Sequence, residues 1–160
     1  MKKTNAMRLL DRQKIAYRTA SYEVDLDDLS AVAVSKKLDI EPERLLKTLL
    51  VRGAGGCHFA VIPTHTELDL KSLAQAAGEK KISVVPLKEV QSLTGYVRGG
   101  VTVLGAKKAF PAFLDRSALE YAEVSVSAGM RGQQILLAPD DYVRATGATV
   151  ADIATPMESG

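Results

Sequence analysis

Residues 45–63 constrain the fold more than any other part of this sequence. Leu45, Leu46, Leu49, Leu50 and Val51 form a long apolar run, broken only by Lys47 and Thr48. Gly53-Ala54-Gly55-Gly56 follows, a strong turn signal, and residues 58–63 read as a second strand. Two strand-like runs joined by a glycine turn predict a β-hairpin.

Helical and extended signals alternate around it. Thr4 is placed to cap a helix that buries Ala6, Met7, Leu9 and Leu10. Ser30 is a good cap for a helix over 31–38, whose Lys36 and Lys37 suit its C-terminal end. Glu41-Pro42-Glu43 reads as the start of a short helical turn. Helical spacing runs from 68 to 77 and stops at Gly78, and a short helix is expected over 87–93. Pro139, Asp140 and Asp141 open a last helix that ends at Gly147. Strands are expected over 15–24, 82–85, 121–126, 133–138 and 150–153, while 113–118 is weakly patterned. Interleaved helices and strands without a repeat predict an α/β fold with a mixed, largely antiparallel sheet.

The chain has 160 residues, 46% hydrophobic and 25% charged, which suits a single domain over 1–160. No segment approaches the roughly 20 apolar residues of a membrane span. No signal-peptide core follows the basic N-terminus. A cytoplasmic location without a membrane partner is the expectation. A net charge of +2 argues against a protein that coats a long phosphate backbone, but not against one that holds a nucleic-acid end.

The usual machinery for chemistry is missing. Cys57 is the only cysteine, so it makes neither an internal disulfide nor a zinc cage. Cys57 and His58 are adjacent in a predicted strand and point to opposite faces. His58 and His65 lack metal-ligand spacing and read as surface or turn polarity. Asp25, Asp27 and Asp28 read as a solvated acidic loop. No metal and no cofactor is expected, and no dinucleotide or P-loop glycine pattern occurs. Two features stand out. Lys47 has apolar neighbours on both sides, so it either faces a cavity or a partner, or snorkels from a wet strand face. The segment Gly95–Gly105, GYVRGGVTVLG, is either an ordinary glycine-rich turn or a loop whose N–H groups approach a ligand.

Four blocks occur together: LKTLLV at 46–51, TGYVRGGVTVLGAKK at 94–108, SAGMRG at 127–132 and LAPDDY at 137–142. In this order the sequence resembles the YbaK family, the prolyl-tRNA-synthetase-associated editing domains, from about residue 5 to 153. The family's glycine loop reads GGxSPLG. Here Thr102 replaces its serine and Val103 its proline, which restores a backbone N–H and frees φ.

The resemblance implies a barrel-like mixed sheet surrounded by helices. It also implies hydrolysis of the ester of mischarged tRNA, with cysteine on proline tRNA as the leading substrate. The 3′ acceptor end of tRNA is the implied partner, and a prolyl-tRNA synthetase a further candidate. Lys47, Gly99, Gly100 and Asp141 are the implied catalytic positions. Tyr22, Thr48, Thr102, Val103, Gly105, Ser127 and Arg131 are the implied substrate-binding ones. Arg98, Lys107, Lys108 and Arg131 form either a rim for the acceptor stem or a solvated surface. In this family's cysteine-specific branch the substrate's own thiol attacks the ester, so no protein nucleophile is needed. The alternatives are a deacylase for alanyl or other small aminoacyl esters, and a tRNA- or nucleotide-binding module without catalysis.

Overall fold

The computed structural model describes residues 3–157. Its helices are α1 (Asn5–Arg12), α2 (Ala31–Leu38), α3 (Leu70–Ala77), α4 (Leu87–Thr94) and α5 (Pro139–Thr146). Its strands are β1 (Arg18–Ser21), β2 (Leu46–Gly53), β3 (Gly56–Pro63), β4 (Thr66–Leu68), β5 (Ser83–Val84), β6 (Ala112–Asp115), β7 (Val124–Ser127), β8 (Gln133–Leu137), β9 (Thr149–Ala151) and β10 (Ala154–Pro156).

The caps form as their chemistry requires. The Thr4 hydroxyl accepts from the Met7 N–H at 3.2 Å, and the Ser30 hydroxyl from Ala33 N–H at 3.2 Å. Each satisfies a donor that the first turn leaves open. Gly78, Gly95 and Gly147 close α3, α4 and α5 in the left-handed conformation.

The hairpin forms as expected, paired from Leu46↔Pro63 to Gly53↔Gly56. Both of its faces are covered. Leu46, Leu50, Phe59 and Val61 join the main core with α1 and the strands β7 and β8. Val51, Ala60 and Ile62 pack on Leu73 and Ala74 of α3. A strand buried on two sides reads as a continuous apolar run, and this explains the segment's composition.

The strands pair as three sheets, in the orders β1-β8-β7, β10-β4 and β5-β2-β3-β6-β9. Parallel pairing within them is confined to β3–β6 and β6–β9, so the arrangement is mixed and largely antiparallel. Among the described residues the pairing does not close a ring. Among the described residues only the parallel bridge Leu45↔Ser125 links the three-stranded sheet to the five-stranded one.

Three local readings change. The strand expected over 15–24 contracts to β1, because β8 offers partners only to Arg18–Ser21. The weakly patterned 113–118 holds the inner strand β6, flanked in parallel by β3 and β9 and buried throughout, followed by a 3-10 turn at Arg116–Glu120. Such a strand has no polar face to alternate with. The strand expected over 150–153 is two strands, β9 and β10. Between them the Asp115 carboxylate accepts from the Ile153 and Ala154 N–H groups, both at 3.0 Å.

His58 is also buried rather than superficial. Its Nε2 lies 3.1 Å from Glu79 Oε2, and Glu79 accepts from the Gly55 N–H as well, tying α3 to the hairpin turn. The His58 hydrogen bond holds the Glu79 carboxyl below its usual range. No helix among the described residues is long and apolar enough to cross a membrane.

Candidate active site

The site is built on an unpaired stretch of β2. Main-chain groups along a strand point alternately to its two sides. The Leu45 carbonyl accepts from Thr64 N–H at 2.8 Å, on the β3 side. The Arg44 carbonyl accepts from Ser125 N–H at 2.8 Å, and the Leu50 carbonyl from Val85 N–H at 2.9 Å, both on the other side. The same alternation turns the main-chain groups of Leu46 and Thr48 away from β3. Pairing with β5 begins only at Val51, and the bridge to β7 lies at Leu45. Between them no strand among the described residues pairs with that edge, and a cleft of about 300 Å³ lies along it.

Four parts of the chain complete the cleft. Ser30, Ala31 and Val34 come from the start of α2, and Val84, Val85, Leu87 and Val90 from β5 and α4. The glycine-rich loop gives Arg98, Gly99 and Val101. Ser127 and Gln134 come from the three-stranded sheet, where they are partners in register. The alternation Val124-Ser125-Val126-Ser127 sends both valines into the main core and both serines to the opposite face. The walls are mostly aliphatic. Among the described residues, Lys47 and Arg98 are the charged ones in the lining, and no aspartate, glutamate, histidine or cysteine contributes to it.

Lys47 is half-buried and lines the cleft, and its Nζ donates to the Thr64 carbonyl at 3.3 Å. Burial pulls its pKa down, and the nearby Glu67 carboxylate partly opposes that pull. Thr48 sits over Tyr142, a fully buried tyrosine of α5. The Tyr142 hydroxyl has no hydrogen bond of normal geometry, and burial pushes its pKa far up, so it stays protonated.

The glycine loop is seated on the 127–132 loop. Gly99 has φ +88°, in the left-handed region, and Arg131 lies against it with Nε donating to the Arg98 carbonyl at 2.8 Å. At Gly100 a Cβ would stand 3.0 Å from the Met130 Cα, so the two backbones touch there. Ser127 Oγ accepts from the Gly129 N–H at 3.2 Å, which leaves its own proton free to donate.

Of the residues given a functional role from the sequence, Lys47, Thr48, Arg98, Gly99 and Ser127 converge on the cleft. The others do not line it. Gly100 and Arg131 support the loop from behind. Thr102 is buried, and its hydroxyl accepts from Leu104 N–H at 3.4 Å. Val103 packs against the main core, and Tyr22 packs with Val34, Ile40, Leu45 and Leu136. Gly105, at φ +67°, lets the loop meet the backbone of Asn5 in α1. Asp141 lies in the first turn of α5, 3.3 Å from Arg144. Gln134 escaped the sequence reading. The signal for it is the two-residue period of β8, which places it beside Ser127 once the register is known.

Residues 27–145 match the family described as the aminoacyl-tRNA editing domain. The chain belongs to that family. Over 154 residues it is 44% identical to a protein of Enterococcus faecalis that carries the provisional name Cys-tRNA(Pro)/Cys-tRNA(Cys) deacylase EbsC, covering 96% of this chain and 94% of the relative. Among solved structures, a hypothetical protein designated APE2540 superimposes with a TM-score of 0.87 at 24% identity, covering 95% of this chain and all of that one. A structure described as a candidate trans-editing enzyme for prolyl-tRNA synthetase gives a TM-score of 0.81 at 23% identity, covering 97% of this chain and 99% of that one. These two likenesses establish the editing-domain fold.

Proposed function

We propose that this chain is a trans-editing deacylase that cleaves the ester of mischarged tRNA, with cysteinyl-tRNA(Pro) as its principal substrate. One observation carries the choice of substrate. Among the described residues the cleft has cations, hydroxyls, an amide and an open strand edge in its lining, but no carboxylate, imidazole or thiol. Attack by water needs a base within hydrogen-bond reach. A cysteinyl ester brings its own nucleophile, whereas an alanyl ester does not.

In the proposed reaction the substrate sulfur bonds to the ester carbon, and the bond from that carbon to the ribose oxygen breaks. The thiol proton ends on the departing ribose oxygen. The protein's task is orientation, worth roughly 7–11 kcal/mol when the reacting atoms are well aligned. Donors to the developing oxyanion add about 2.7–4 kcal/mol each. The Gly99 region of the loop and the free N–H edge at Thr48 are the proposed donors. Ser127 orients the hydroxyl groups of the terminal ribose. Lys47 and Arg98 hold the terminal phosphate by charge-assisted hydrogen bonds and make a thiolate easier to form. Arg131, Lys107 and Lys108 extend that charge toward the acceptor stem. Gly100, Thr102, Val103 and Gly105 shape the loop, and Tyr22 backs the α2 wall.

The barrel-like description belongs to this reading, in which the sheets wrap the cleft without pairing across it. The place of action is the cytoplasm, where a prolyl-tRNA synthetase can supply the tRNA. The test is hydrolysis of cysteinyl-, alanyl- and seryl-tRNA(Pro) by the purified protein. Preference for the cysteinyl ester is expected. Equal rates on the alanyl ester would refute the thiol route.

A further inference from the structure

Gln134 is the most buried polar side chain in the cleft lining, with 5% of its surface exposed. Its Oε1 accepts from the Ser125 hydroxyl at 2.9 Å. Ser125 is itself 1% exposed, and its own N–H is held by the Arg44 carbonyl at 2.8 Å. The carboxamide is therefore fixed at one end. Its Nε2 donates to no protein atom among the described residues, yet it is not among the sealed, unpartnered atoms that the core contains. The remaining contact of this amide is with the cleft. A buried amide is retained at a cost unless its donors are used, so an otherwise apolar wall gains nothing from it as packing.

We propose that Gln134 is a substrate-binding residue that presents its NH₂ group to an uncharged acceptor at the aminoacyl end. We further propose that Ser125 is its positioning residue. The inference rests on the proposed deacylase reading and assigns a specificity role within that same cleft. The chemistry follows from the lining. Lys47 and Arg98 already supply positive charge for phosphate or thiolate, and among the described residues no acidic group lines the cleft with them. A neutral donor reads the ester carbonyl or a ribose oxygen without competing for those anions. A carboxylate at 134 would accept rather than donate, and would pair with the cations instead. Ser125 decides which end of the amide faces the cleft. Its hydroxyl donates to Oε1, and this leaves the NH₂ end outward.

The test uses the whole 160-residue chain with two readouts. One is kcat/KM on the best aminoacyl-tRNA(Pro) substrate. The other is the Kd of a non-hydrolysable, amide-linked cysteinyl-adenosine, measured by calorimetry. Gln134→Ala and Gln134→Glu are each expected to weaken analogue binding and lower kcat/KM by about tenfold, the worth of one well-made hydrogen bond. Ser125→Ala is expected to give a smaller loss of the same kind, restored by Ser125→Thr, which keeps the donor. Wild-type Kd and kcat/KM in folded Gln134→Ala would overturn the proposal while leaving the deacylase reading intact. Loss of melting temperature alone in Ser125→Ala, with unchanged binding, would reduce Ser125 to a packing residue and overturn its positioning role. If the wild-type protein neither hydrolyses the esters nor binds the analogue, the deacylase reading fails and this proposal fails with it. Binding without hydrolysis, weakened by Gln134→Ala, would uphold Gln134 and overturn only the catalytic reading.

Discussion

Replacing Gly100 with alanine would drive a methyl group into the backbone of a neighbouring loop. Its Cβ would stand 3.0, 3.1 and 3.2 Å from the Met130 Cα, C and N atoms. Carbon atoms pack best at about 3.5–4.0 Å, so the loops must part by roughly 0.5 Å. Gly100 has no positive φ, so backbone strain does not contribute and the effect is steric alone. Overpacking of this kind costs about 1–3 kcal/mol. In a chain of this length that lowers the melting temperature by roughly 2–12 °C. The functional effect should be larger, because the displaced loop carries Gly99 and Arg98 into the cleft. A 1 Å misplacement can cost about a hundredfold in rate, so about a tenfold fall in kcat/KM is expected. Gly78→Ala is the control. It has φ +72° but open space around the new Cβ, so it should cost about 1–2 kcal/mol of strain without touching activity. Thermal melts and deacylation rates on the two variants separate the cases. Wild-type activity in Gly100→Ala, or a loss confined to Gly78→Ala, would refute the coupling of the two loops.

Other outcomes follow from single contacts. Asp115→Ala leaves the Ile153 and Ala154 N–H groups without their acceptor, and should cost about 2–6 kcal/mol in a denaturant melt. A change within experimental error would mean that water replaces the carboxylate. Tyr142→Phe removes a fully buried hydroxyl that has no hydrogen bond, so the melting temperature should hold or rise. A clear fall would reveal a bond to Thr48. Binding of tRNA should weaken as salt rises, and Arg131→Ala should flatten the slope of log K against log salt by up to about one unit. An unchanged slope would place Arg131 off the phosphate path.

Much of the fold was legible because local chemistry and global position agree. The Thr4 and Ser30 caps, the hairpin turn and the glycine stops at 78 and 147 all act where the sequence puts them. Strand β6 was not legible. An inner parallel strand buried on every side has no alternation to show, and its partners at 59–61 and 149–151 are distant in sequence. His58 looks superficial in the sequence for a related reason. Its partner Glu79 lies 21 positions away, and only the return of α3 to the hairpin turn joins them. In the site, Lys47 and Gly99 announced themselves as oddities, a cation in an apolar run and a glycine pair in a loop. Gln134 did not, because a glutamine at the start of a strand looks like a solvated end until the register sets it beside Ser127. The cleft itself could not be read, since it arises from an edge of β2 that no strand among the described residues covers.

In the proposed reaction the cleft on β2 performs deacylation with Lys47 at its heart. The most direct test is the single-turnover rate on cysteinyl-tRNA(Pro) for the wild-type protein and for Lys47→Ala. A fall of at least about tenfold is expected, the value of one charge-assisted contact to substrate. The melting temperature should not fall, because burial already disfavours the ammonium. A folded Lys47→Ala protein that deacylates at the wild-type rate would remove Lys47 from the reaction.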